Sequence, residues 1–66
     1  MATGEYENQP YSVELLRDGS AQVEYELARE DRSEVARMLY ALMQARFPGR
    51  VVVPRVGEIV LDRSDS

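Results

Sequence analysis

The chain has no cysteine, no histidine, no lysine and no tryptophan. Without cysteine there is neither a disulfide framework nor a thiolate nucleophile. Without histidine and lysine, most general acid–base and activated-nucleophile pairings are lost. Ser12, Ser20 and Ser33 have no base near them in sequence. No glycine-rich phosphate loop, no calcium-loop spacing and no aromatic pair spaced for base stacking is present. No apolar run approaches the roughly 18 residues that span a bilayer. The first residues, MATGEYENQ, are neither basic nor apolar, so no signal peptide is expected. These absences set the expectations: not an enzyme, no cofactor, no metal, no membrane, no small-molecule substrate, and a cytoplasmic location.

What is present is acidic. The net charge is −4 and all eight basic residues are arginine. Residues 1–31 carry eight acids and two arginines, whereas residues 32–66 carry four acids and six arginines. An acidic total repels phosphates and argues against general nucleic-acid or anionic-membrane binding.

One long periodic segment dominates, residues 31–49, DRSEVARMLYALMQARFPG. Asp31 is expected to cap a helix, with Glu34 three residues on completing a capping box. Phe47-Pro48-Gly49 is the expected stop, because proline disfavours helical geometry before it and glycine supplies a left-handed exit. With Val35 at 0° and about 100° per residue, Leu39, Met43, Ala36, Phe47 and Tyr40 fall between about 40° and 140°. Leu42, Met38 and Ala45 fall between about 340° and 280°. The apolar arc is therefore wider than one sheet needs, and the excess requires a second neighbour.

Two hairpins flank the helix. Tyr11–Leu15 and Ala21–Leu27 alternate apolar and polar, as half-buried strands do. A three-residue loop, Arg17-Asp18-Gly19, would place Val13 opposite Val23 and Tyr11 opposite Tyr25, with glycine left-handed in the third position. By the same logic Arg55-Val56-Gly57 would join a third strand from Arg50 to a fourth at Glu58–Asp62, with Val53 opposite Ile59 and Val52 opposite Val60. Leu16 adjoins that outer apolar face. The expected fold is α+β, in the order β-β-α-β-β. The helix lies on one face of an antiparallel sheet of order 2-1-3-4. A single domain over 10–62 is expected, between disordered tails at 1–9 and 63–66. Its stability should be only about a few kcal/mol, given its size.

The functional expectation is a non-enzymatic protein-interaction module that binds another protein or forms a homodimer. Its apolar candidates are Val52, Val60, Leu16, Tyr40 and Phe47, since exposed apolar clusters mark interfaces. The competing possibility is that Tyr6 or Tyr11 folds over them. An acidic face of Glu14, Glu24 and Glu26 suggests an alternative: an inhibitor or regulator of a nucleic-acid-processing enzyme such as RNA polymerase, of the phage-encoded kind. A further alternative is phosphate binding through Arg37, Arg46, Arg50 and Arg55.

Overall fold

The protein is described here by a computed structural model covering residues 10–65, so the expected tail at 1–9 lies outside the described residues. The elements are β1 (Tyr11–Leu16), β2 (Val23–Glu30), α1 (Ser33–Arg46), β3 (Val52–Val56) and β4 (Ile59–Val60). They form a four-stranded sheet of order β2-β1-β3-β4. Every pairing is antiparallel. The helix packs on one face, against β1, β2 and β3. This is the expected α+β arrangement.

The helix stop follows the expected chemistry. The Phe47 N–H donates to the Met43 carbonyl at 3.0 Å, the Arg50 N–H to the Phe47 carbonyl at 3.1 Å, and Gly49 takes φ 81°. The helix start does not. Its N-cap position is Arg32, in extended geometry, and no side chain caps it. Asp31 lies one residue too early, and its N–H is taken instead by Glu30 Oε1 at 3.0 Å. The expected capping box is thus replaced by a bare N-terminus.

The first hairpin is wider than expected. Arg17 N–H donates to the Gln22 carbonyl at 2.8 Å, and inside that ring Ser20 N–H donates to the Arg17 carbonyl at 3.0 Å. Gly19 has φ 70°, so the left-handed glycine is where the turn chemistry put it. The register is different. Leu15 faces Tyr25, Val13 faces Ala28, and two irregularities interrupt the ladder, at Val13/Glu14 and Leu15/Leu16. The Ser20 hydroxyl accepts from the Gln22 N–H at 2.9 Å, a local bond that competes with the ladder and holds residues 20–22 out of the strand.

The second hairpin is tighter than expected. Val56 faces Ile59 and Arg55 faces Val60, which leaves a two-residue loop, Gly57-Glu58. Gly57 has φ 58° and no non-glycine residue among the described residues has positive φ, the pattern of a type II′ turn with glycine first. Beyond β4, residues 61–65 stay alongside β3. Leu61 N–H donates to the Pro54 carbonyl at 2.9 Å, Ser64 N–H to the Val52 carbonyl at 3.0 Å, and Val52 N–H to Ser64 Oγ at 2.9 Å. The polar C-terminal stretch thereby closes the sheet edge next to β3.

The core follows from the β1–β3 register. Leu15 faces Val52 and Val13 faces Pro54. Val13, Leu15, Val52 and Tyr40 form the central cluster, with Leu27, Ala28, Leu39, Met43 and Phe47 packed against it. Full burial of a side chain such as Leu15 stabilises the fold by about 1.5–3 kcal/mol.

Candidate interaction surfaces

The apolar residues expected at an interface divide in two. Val52, Leu16 and Tyr40 retain 0, 3 and 8% exposure. They are buried and offer nothing to a partner. For Val52 the reason is register: opposite Leu15 it points at the helix, and a one-residue offset reverses the face of every side chain. Tyr40 is drawn down by the same cluster, and Phe47 is half-buried against it. Val60 is exposed, opposite Arg55 on the sheet face away from the helix.

The surplus apolar arc exists, on the other flank of the helix. Met38 is 68% and Leu42 53% exposed. They are four residues apart and so form one stripe. Ser33, Arg37 and Tyr40 border a groove with Pro54, Leu61 and Asp62, which turns their side of the helix toward β3 and the C-terminal stretch. The Met38–Leu42 side, about half a turn away on the helical circumference, therefore leans toward β2. Tyr25 of β2 pairs with Leu15, yet it is 61% exposed and is not among the residues packed against the core cluster. The residues that sequence reasoning missed here are Leu42 and Tyr25. The periodicity contained Leu42, but the two flanks of a wide arc look alike until the sheet's position is known.

The long open edge of the sheet is β2. β2 has eight residues, and among the described residues no strand pairs with its outer side. The opposite edge is a two-residue strand continued by the bonded stretch 61–65. That edge is short and irregular, so among the described residues the eight-residue edge of β2 is the one suited to strand addition.

The acidic candidates do not form a free negative patch. Glu14 Oε1 lies 2.8 Å from Arg55 Nε, Glu26 Oε2 lies 2.7 Å from Arg29 Nη2, and Glu24 pairs with Arg50. Arg50 and Arg55 are consumed by the same contacts. Arg37 and Arg46 make no ion pair among the described residues, but nine residues of helix separate them by about 13 Å. The four arginines do not converge on one phosphate.

The groove beside α1 encloses about 350 Å³. Burial, then the charges of Asp62 and Asp65, raise the Tyr40 phenol above its ordinary range. A shallower depression of about 430 Å³ lies between the Gly19–Ala21 turn and Arg63. There Arg63 donates from Nε to Asp65 at 3.0 Å, and that bond holds the Asp65 carboxyl below its usual value. Among the described residues no group of three or more acidic side chains is placed to hold a metal ion. No described helix is long and apolar enough to cross a membrane. No family model matches the chain, and no characterised protein or solved structure is significantly similar to it.

Proposed function

We propose that this chain is a non-enzymatic interaction module whose partner is a different protein, bound along the Met38–Leu42 flank and the open edge of β2. The observation that carries this reading is the exposure of Met38, Leu42 and Tyr25, together with a strand edge that nothing among the described residues closes. Apolar surface next to a free edge offers side-chain burial and backbone hydrogen bonds to one incoming strand. The unpaired charge of this edge lies at its end: Glu24 and Glu26 are held by Arg50 and Arg29, while Glu30 and Asp31 have no ion-pair partner among the described residues. A basic residue on a foreign strand would complement these two acids, which a second copy would only duplicate.

The test is capture from cell extract by wild type and by the Met38→Glu/Leu42→Glu variant in parallel, with the mass of each purified protein measured by light scattering. The reading expects a monomer and a retained protein that the double variant loses. A retained set identical for both proteins sinks it, and so does a tight homodimer of wild type. The acidic-inhibitor alternative has less support, because Glu14, Glu24 and Glu26 are each neutralised by an arginine.

A further inference from the structure

The open edge of β2 carries enough detail to specify the strand that fits it. β1 already pairs along the other side of β2, and it shows which β2 positions a neighbouring strand meets in turn. Tyr11, Val13 and Leu15, at every second residue of β1, lie opposite Glu30, Ala28 and Tyr25. The six residues Tyr25–Glu30 therefore face only five of β1, because β2 holds an extra residue between Ala28 and Glu26. An incoming strand as regular as β1 meets the same three positions with its residues i, i+2 and i+4. Alternate residues of a strand point to one face, so these three side chains act together.

The three positions ask for different chemistry. Glu30 accepts from the Asp31 N–H at 3.0 Å, which sets two acids side by side. Neither has an ion-pair partner among the described residues. A cation at position i complements both. Ala28 is small and packed against the core cluster, and leaves room for a β-branched apolar neighbour. Tyr25, 61% exposed, offers its ring to an aromatic residue, a favourable cross-strand pair.

We propose that the partner adds to β2 an antiparallel strand of the pattern basic–x–apolar–x–aromatic. Its arginine or lysine lies at Glu30 and Asp31, its apolar residue at Ala28 and its ring at Tyr25. This rests on the reading of the open edge given above and names the partner's chemistry. The direction follows from the sheet, in which every pairing is antiparallel. Antiparallel pairing is also slightly the more stable per residue. It puts the basic residue at the N-terminal end of the incoming segment, and a parallel strand would need the reverse order.

The experiment is an NMR titration of the isotope-labelled full chain with three end-blocked heptapeptides. They are Thr-Arg-Thr-Val-Thr-Tyr-Thr, its reversed sequence, and the first with glutamate in place of arginine. The expected result is saturable shifts of the Tyr25–Glu30 amides with the first peptide and weaker binding of the reversed one. The glutamate peptide should bind about tenfold more weakly, since two exposed attractions become repulsions. Glu30→Gln/Asp31→Asn should erase the difference between the arginine and glutamate peptides. Equal binding of the forward and reversed peptides overturns the proposal, as does equal binding of arginine and glutamate peptides by wild type. An absence of saturable shifts at Tyr25–Glu30 overturns it too. The flank reading fails separately: a retained protein lost on Met38→Glu/Leu42→Glu, with no peptide preference, overturns the strand pattern and leaves the flank standing. A clear peptide preference with capture unaffected by that double variant supports the pattern and removes the flank.

Discussion

Glu14 Oε1 and Arg55 Nε meet at 2.8 Å across the seam between β1 and β3. Their side chains are only 12 and 24% exposed. The contact is ionic: neither atom is aligned for a hydrogen bond. Removing one partner of such a pair strands the other charge among Val53 and Ser12, which are themselves buried.

Arg55→Met should therefore cost about 2–3 kcal/mol, below the roughly 3–5 kcal/mol for a fully buried pair because both side chains keep some exposure. That is a large part of the stability of so small a domain. The double change Glu14→Leu/Arg55→Met should lie closer to wild type than either single variant. Urea unfolding of the four proteins closes the cycle. Additive losses would mean that the pair is not coupled.

Tyr40 sets the behaviour in base. Burial and the neighbouring Asp62 and Asp65 hold its folded pKa above the ordinary 10.0. The folded state thus keeps a proton that the unfolded state releases first. The stabilising contribution is fully present below about pH 10 and is lost as pH rises from there through the folded value. Stability should decline in that window, and Tyr40→Phe should flatten the decline. The check is the urea midpoint of both proteins from about pH 8 to 11. An identical alkaline slope in the two would remove Tyr40 as the cause.

The element order and the strand order were legible because both rest on strong, redundant signals. Alternation at Tyr11–Leu15, the helical arc of Val35–Phe47 and the glycines at 19 and 57 each mark a boundary. The registers rest on weaker ones. Arg17–Gln22 contains several equally plausible turn residues, and the Ser20 hydroxyl settles the matter with a single bond to the Gln22 N–H. At the second hairpin, Val51, Val52 and Val53 satisfy either face, so alternation has no preference there. Leu15 makes the choice by requiring Val52 opposite it. The interface candidates inherited that ambiguity. Val52 and Tyr40 belonged to the core, while the surplus fell to Met38 and Leu42.

Ser64 tests whether the C-terminal stretch is structural. Val52 has no exposure, and its N–H has Ser64 Oγ as acceptor at 2.9 Å. Ser64→Ala leaves that N–H unsatisfied and should cost about 1–2 kcal/mol. Amide exchange at Val52 should accelerate, while Ser64→Thr, which keeps the hydroxyl, should retain protection. Unchanged exchange at Val52 in the alanine variant would show that the stretch does not clamp the edge.

Arg50 offers the sharpest distinction between charge and shape. Its guanidinium donates to the Leu16 carbonyl at 3.0 Å, pairs with Glu24, and lies 3.7 Å from Asp18. One planar fork thus joins the end of β1, the start of β2 and the turn between them. A lysine carries the same charge on a single nitrogen and cannot span these acceptors together. Arg50→Lys should therefore lose nearly as much as Arg50→Ala, about 1–2 kcal/mol for a half-exposed network anchored on a backbone carbonyl. Glu24→Arg should be worse than Glu24→Gln, since it sets two guanidinium groups against each other. Both comparisons are read from unfolding midpoints at low and high salt. If lysine restores wild-type stability, net charge near Leu16 is sufficient and the fork geometry is irrelevant. If it does not, the width of the first hairpin is held by the shape of one arginine.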